Sequence, residues 1–344
     1  MKILITGGAG YIGSHICVEL LQEGFEIVVA DNFSNSHPEA LDRVQKITGK
    51  YFPVYNCDLT IKSELELVFS EQSINAVIHL AGLKAVGESV TVPLKYYQNN
   101  LISTLNLCEV MNTYNVCSLV FSSSATVYGA NENAPLTEEL PLQATNPYGR
   151  TKLMAEEILK DLQASNEKWS ISILRYFNPV GAHSSGLIGE DPNGMPNNLV
   201  PYISQVAIGK LQEVKIFGND YHTHDGTGIR DYIHVVDLAQ GHVKALQKTL
   251  AAHGVHCYNL GTGNGFSVLE VVSQFQEVAK KQIPFSITER RKGDIAVSFA
   301  DPAKAEIELK WKASKSLKEM LEDTWRWQVN NPQGYKYPVK TIHS

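Results

Sequence analysis

Tyr148 and Lys152 stand four residues apart in Thr145-Asn146-Pro147-Tyr148-Gly149-Arg150-Thr151-Lys152. Asn146 or Thr145 can cap a helix there, and Pro147 suits its first position. The phenol and the ammonium then share one face of the first turns. Such a pair is common by chance and, taken alone, describes a surface contact. Chain order says more, because a glycine-rich turn at 7–13 and Ser122-Ser123-Ser124 precede it. A free phenol has a pKa of roughly 10, and a base working at neutral pH needs about 3 units less, or about 4 kcal/mol. One ammonium at ~4 Å with an effective dielectric of ~20 supplies about that much. Tyr148 could then remove a hydroxyl proton, with Lys152 lowering its pKa and Ser124 hydrogen-bonded to the same oxygen.

The glycine turn says what would take the hydride. Lys2-Ile3-Leu4-Ile5-Thr6 reads as a buried strand, and Ile16-Cys17-Val18-Glu19-Leu20-Leu21 as a helix. Between them, Gly7, Gly10 and Gly13 meet three needs: a tight turn, close approach of backbone to a pyrophosphate, and close packing of helix on strand. The diphosphate would sit on free N–H groups at the helix N-terminus. Asp31 ends the next apolar run, 18 residues past Gly13. Its carboxylate suits a ribose 2′-OH and repels a 2′-phosphate, and no Arg or Lys follows at once, so NAD is expected rather than NADP. An oxidised nicotinamide and the helix N-terminus would also favour the Tyr148 phenolate.

The elements that must position these groups alternate between strand and helix. Further strands are expected at 51–55, 76–80, 118–122 and 171–175, with a helix from Pro93 to Tyr114 carrying Leu94, Tyr97, Leu101, Leu105 and Cys108 at helical spacing. This predicts an α/β fold, a Rossmann-like doubly wound parallel sheet. After Tyr176 the chain turns irregular and then mixed, which predicts a smaller mixed α/β substrate lobe. The expected division is a dinucleotide domain over 1–176, with part of 232–262 returning to it, and a lobe over 177–344. Of the 344 residues, 43% are hydrophobic and 19% charged, and the net charge of −6 argues against nucleic acid as a partner. An anionic substrate therefore needs a few placed cations. The five cysteines form no C-x-x-C pair, no leader is expected ahead of the first strand, and no apolar run is long enough to span a bilayer. A cytoplasmic location and no membrane partner are expected.

Longer blocks carry a resemblance. Thr6 to His15, His79 to Ser89, Ser122 to Gly129, Arg175 to Ala182, Arg230 to Val235 and Trp325 to Gln328 are similar to the UDP-hexose 4-epimerases of the extended short-chain dehydrogenase family, and the similarity runs over essentially the whole chain. The resemblance implies NAD contacts at Tyr11, Ile12, Asp31, Asn32, Phe33, Ser34, Asn35, Ser36, Asp58, Leu59, Leu80, Ala81, Gly82, Leu83, Lys84, Asn99 and Phe177, besides Ser124, Tyr148 and Lys152. It implies catalytic roles for Tyr148, Lys152 and Ser124. It implies UDP-sugar contacts at Asn178, Asn198, Leu199, Phe217, Arg230, Arg291 and Asp294. Arg230 and Arg291 suit a diphosphate chemically, since each offers a planar fork; surface salt bridges to Asp231 or Asp294 are the plain alternative. The implied reaction is reversible epimerisation of UDP-glucose and UDP-galactose at C4 through a 4-keto sugar that turns over in the site. A homodimer paired through helices 93–114 and 148–162 is implied too. The family needs no metal, and His222-Thr223-His224-Asp225 reads as a solvated loop.

Ser298 departs from a bulky tyrosine found in enterobacterial relatives. A small residue there should admit a 2-N-acetyl group, so interconversion of UDP-GlcNAc and UDP-GalNAc is expected unless Phe299 or a shifted loop fills the space. Three rival functions share the early motifs. A 4,6-dehydratase needs an acid and a base where this chain has Ala125 and Thr126. A reductase would consume external NADH. A dinucleotide-binding module has no need of Tyr148, Lys152 and Ser124 together.

Overall fold

A computed structural model describes residues 1–131, 133–291 and 294–336. The end of the lobe expected over 177–344, and its positions 292 and 293, lie outside the described residues. In chain order the first half runs β1 (Lys2–Thr6), α1 (Tyr11–Gln22), β2 (Glu26–Asp31), α2 (Pro38–Thr48), β3 (Val54–Asn56), α3 (Lys62–Glu71), β4 (Ala76–His79), α4 (Val86–Thr91), α5 (Pro93–Thr113), β5 (Ser118–Ser122), α6 (Pro147–Ser165) and β6 (Ser170–Tyr176). The second half runs β7 (Asn178–Val180), α7 (Leu199–Ala207), β8 (Val214–Phe217), β9 (Ile229–His234), α8 (Val235–Ala251), β10 (Gly254–Leu260), β11 (Gly265–Ser267), α9 (Val268–Ala279), β12 (Phe285–Thr288), β13 (Val297–Ser298), α10 (Ala303–Glu308) and α11 (Leu317–Asn330).

Seven parallel strands form the main sheet in the order β10-β6-β5-β4-β1-β2-β3. The order reverses between β1 and β4, the place where an open α/β sheet leaves a crevice for ligands. Alternate residues of β1 explain why its sequence is apolar throughout: Ile3 and Ile5 enter a core shared with α1 and α8, while Leu4 enters the opposite core with α3 and α5. A third core, under α7, α9 and α11, belongs to the lobe. There β9 lies between β11 and β13, with β7 also paired to it, and β8 pairs with β12.

Two local expectations differ. β3 begins only at Val54, because Pro53 has no N–H to give and enters the sheet solely through its carbonyl, which accepts from Val29. Over the first part of α5 the apolar stripe faces outward: Leu94 is 72% and Leu105 44% exposed, while Tyr96, Asn100, Ser103 and Thr104 are buried; Cys108, on the same stripe, is buried in the core with Leu107, Val110 and Met111. α5 turns these residues inward, where Asn100 reaches Thr151 of the adjacent α6.

Candidate active site

The glycine turn is built to bring backbone close to a ligand. Gly7 has φ +73°, and a Cβ there would lie 2.9 Å from the Ala81 nitrogen. A Cβ on Gly13 would run into the Gly7 carbonyl and the Gly8 backbone, so helix and turn touch without side chains between them. Gly10 caps α1 with no side-chain hydrogen bond, which leaves the first-turn N–H groups to an anion. Asp31 ties the turn to the loop after β2: its carboxylate accepts from Ala9 N at 3.0 Å, Phe33 N at 2.9 Å and Ser36 Oγ at 2.8 Å. Asn32 donates to Asp58 at 3.1 Å. Burial would raise the Asp58 carboxyl, but hydrogen bonds from Thr60 and Asn32 outweigh it and hold the group below the usual range.

The loop after β4 is held by a residue the sequence reading passed over. Asn100 Oδ1 accepts from Leu83 N at 2.8 Å, and Asn100 Nδ2 donates to Leu83 O and to Thr151 Oγ1, each at 3.0 Å. It thus joins the segment Leu80–Lys84 to the helix that carries Tyr148 and Lys152. Asn99, its half-buried neighbour, donates to Asn100 Oδ1. The one sequence signal was a polar run, Gln98-Asn99-Asn100, inside a long helix.

Tyr148, Lys152 and Ser124 come together and are all nearly buried. Asn146 is the cap of α6, accepting from Gly149 N at 2.8 Å, and Pro147 fills the first turn. Ser124 caps the 3₁₀ turn Ala125–Tyr128 and accepts from Thr126 N at 3.2 Å. Burial pushes the Tyr148 phenol above its usual value, and its hydrogen bond with Ser124 pulls the other way. The Lys152 ammonium donates to the Ser122 carbonyl at 2.7 Å and lies 4.9 Å from the centre of the Phe121 ring. Burial lowers it to about 8, with Glu156 opposing. Among the protein's own groups, then, desolvation dominates at Tyr148, and Lys152 is anchored on the β5 carbonyl; the expected depression of the phenol does not arise from the lysine by itself.

The residues expected to meet a UDP-sugar lie on or beside β7, α7, β8, β9 and β13. Asn178 donates to Asp231 O at 2.8 Å, Asn198 is the N-cap residue of α7 before Leu199, and Asn198 Nδ2 reaches Glu190 at 3.2 Å. Arg291 stacks 3.8 Å over the centre of the Phe217 ring at the end of β8. Ser298 of β13 is in register with Arg230 of β9. Among the described residues neither Arg230 nor Arg291 pairs with a carboxylate. Asp231 is committed elsewhere, accepting from Thr262, Gly263 and Ala300. Both guanidinium groups therefore retain free charge for an anion. Tyr11 joins the two sides, its hydroxyl donating to Gly181 O at 2.7 Å. No group of His, Cys, Asp and Glu among the described residues is arranged to hold a metal. His224 lies 3.4 Å from Glu270 and is exposed.

The profile of the NAD dependent epimerase/dehydratase family matches residues 3–261. The chain belongs to this family. UDP-glucose 4-epimerase of Bacillus subtilis is 62% identical over 336 residues, covering 98% of this chain and 99% of that protein. Among solved structures, UDP-glucose 4-epimerase from Bifidobacterium longum in complex with NAD+ and UDP is 52% identical with a TM-score of 0.94, over 97% of this chain and 100% of that one. The enzyme from Stenotrophomonas maltophila with bound NAD and formylated UDP-arabinopyranose is 49% identical with a TM-score of 0.95, over 97% and 99%. NAD is the cofactor of this family fold, and the uncapped glycine turn with Asp31 at its side is a cradle that fits it.

Proposed function

We propose that the protein interconverts UDP-glucose and UDP-galactose by epimerisation at sugar C4, with NAD retained through the cycle. One observation carries the reading. Tyr148, Lys152 and Ser124 come together, buried, just past the carboxyl end of β5, and among the described residues no carboxylate pairs with Arg230 or Arg291. When bound, NAD would supply reversible hydride acceptance at C4. Tyr11, Ile12 and Gly13 would hold its diphosphate on backbone N–H groups of the first turn, Gly7 and Gly10 would shape the turn with their own N–H groups bonded to Ala30 and Gly7 carbonyls, and Asp31 with Asn32, Phe33, Ser34, Asn35 and Ser36 would hold the adenosine ribose side. Asp58, Leu59, the 80–84 segment, Asn99 and Phe177 close around the remainder.

Tyr148 takes the proton of the C4 hydroxyl as the hydride leaves and gives it back after the sugar has turned. Ser124 orders that hydroxyl. Burial by itself raises the phenol, so the lowering pull would come from the Lys152 ammonium together with the positive charge that an oxidised nicotinamide would bring when bound. Asn178, Asn198, Leu199, Phe217, Arg230, Arg291 and Asp294 grip the UDP, so the intermediate stays while its sugar rotates. Proximity then supplies much of the acceleration. Ser298 leaves space for a 2-N-acetyl group, with the Phe299 ring lying toward Gly265; UDP-GlcNAc and UDP-GalNAc are proposed as further substrates.

Residues 1–176 with α8 and β10 form the proposed NAD unit, and the rest of the chain the UDP-sugar lobe. The outward apolar stripe of α5 is the proposed homodimer seam, shared with α6. A cytoplasmic location suits five free thiols. Among the described residues no helix is long and apolar enough to cross a membrane.

Purified protein given UDP-galactose without added NADH should form UDP-glucose. Absence of turnover would refute the reading, and net NADH consumption would point to a reductase. Tyr148→Phe should cost at least ~100-fold in turnover, the low end for loss of a general base.

A further inference from the structure

Beneath the catalytic helix lies a buried ion pair that the reaction as described does not use. Glu156 of α6, one turn beyond Lys152, is fully buried, and Arg175 of β6 grips its carboxylate with Nη2 at 2.7 Å and Nε at 3.1 Å. Ser123 donates to the same carboxylate from the end of β5. Arg175 is itself held, donating to Tyr128 Oη at 3.1 Å and to Glu138 O at 3.2 Å, and Tyr128 donates to Asn259 at 2.7 Å. The carboxylate therefore has one orientation and touches the strand end between Ser122, which receives the Lys152 ammonium, and Ser124, which meets Tyr148. A buried ion pair is poor evidence of stability, since an apolar pair of the same shape often does as well or better. A role in placing charge accounts for it here.

We propose that Glu156, locked by Arg175 and Ser123, is a positioning residue that keeps Lys152 protonated and holds the Ser122–Ser124 strand end in register with Tyr148. The inference rests on the catalytic reading of Tyr148 and Lys152 given above. Lys152 is otherwise in a site that disfavours its charge. Burial lowers it, while His79 of β4 and Tyr176 of β6 offer no negative charge at neutral pH, and neither does Tyr148 on its own helix as long as burial alone sets its phenol. His242 of α8, behind Ser122, is neutral, and the Cys257 thiol of β10 beside Glu156 is protonated. Glu156 is the carboxylate that opposes this burial from within one helical turn.

The test is Glu156→Gln in the NAD-loaded enzyme, with kcat and KM for UDP-galactose measured from pH 5.5 to 9.5. The basic limb of kcat should move at least about one pH unit lower than in the wild type. That is a loss of about eightfold at pH 8.5 against less than twofold at pH 6.5, with KM little changed. Arg175→Gln should move the limb the opposite way, a reversal of sign that loss of packing does not produce. If Glu156→Gln fails to fold because Arg175 is stranded, Glu156→Gln/Arg175→Gln removes both charges and should leave a smaller downward shift, since Glu156 and not Arg175 acts directly on Lys152. Trace labelling of Lys152 with acetic anhydride across the same pH range, read by peptide mass spectrometry, follows the ammonium without turnover. A limb and a labelling curve that stay at wild-type positions in a folded variant overturn the inference. A wild-type enzyme without epimerase activity overturns instead the reading on which it rests, and the labelling still decides whether Glu156 governs Lys152.

Discussion

Acidification should unfold this protein steeply, through three histidines that the fold keeps neutral. His15, His79 and His242 are fully buried, and burial pushes them down from the usual 6.5 to about 3, 3 and 4. At His79 the Lys152 ammonium adds to the effect, whereas hydrogen bonds to the Tyr11 and Leu238 carbonyls oppose it at His15 and His242. In the unfolded chain each ring returns to about 6.5. Below that pH the unfolded state takes up protons that the native state refuses, so stability is complete above about 6.5 and is lost as pH falls toward 4. At pH 5 each ring favours unfolding by about 2 kcal/mol, and the three together by about 6 kcal/mol. That is comparable with the whole stability of an ordinary domain, about 5–15 kcal/mol. Urea unfolding at pH 7, 6, 5.5 and 5 should give a slope near pH 5.5 of about 3–4 kcal/mol per pH unit, corresponding to nearly three protons. His242 accepts from Ser122 Oγ at 2.7 Å, and His242→Gln should remove about a third of that slope. A slope below about 1.4 kcal/mol per unit, the value for a single proton, would refute the reasoning.

Three other outcomes are expected. Gly13→Ala places a methyl against the Gly7 carbonyl, so NAD retention through gel filtration should fall at least ~10-fold while the lobe stays folded. Ser298→Tyr should lower UDP-GlcNAc turnover by ~10-fold or more and leave UDP-galactose turnover within a few-fold; equal losses on both would show that position 298 does not meet the 2-substituent. Leu94→Glu with Leu105→Glu charges the outward stripe of α5, and light scattering should then report a monomer with an unchanged circular dichroism spectrum.

The parts of the fold with strong local signals were legible before the structure. The glycine turn, the strand before it and Asp31 obey constraints confined to about thirty residues, and the parallel sheet follows from the alternation of apolar runs with helices. What sequence pattern could not carry was burial between elements. Leu94 and Leu105 of α5 look like part of a core face, yet they stay exposed while Asn100, Ser103 and Thr104 are buried, and aliphatic residues enter the core only from Leu107 onward. Which face turns inward depends on α6, far along the chain. The Tyr148–Lys152 pair was legible as a spacing, but its electrostatics were not, because desolvation and the Ser122 carbonyl depend on β5 and its neighbours. The pairing of Glu156 with Arg175 had no signal; they meet only once α6 lies on β6.

The seventh strand bears on how the chain is made. β10 completes the sheet beside β6, yet it is synthesised after β7, α7, β8, β9 and α8, roughly 80 residues beyond Tyr176. At ~5–20 residues per second the edge of β6 stays unpaired on the ribosome for about 4–16 s. Through that interval a buried-type strand, with Ile171, Ile173 and Leu174 all destined for the interior, is open to pairing with another chain. The cofactor-binding unit therefore cannot close until β7, α7, β8 and β9 of the lobe have emerged, and a nascent chain halted near residue 200 should be the most aggregation-prone stage of its synthesis.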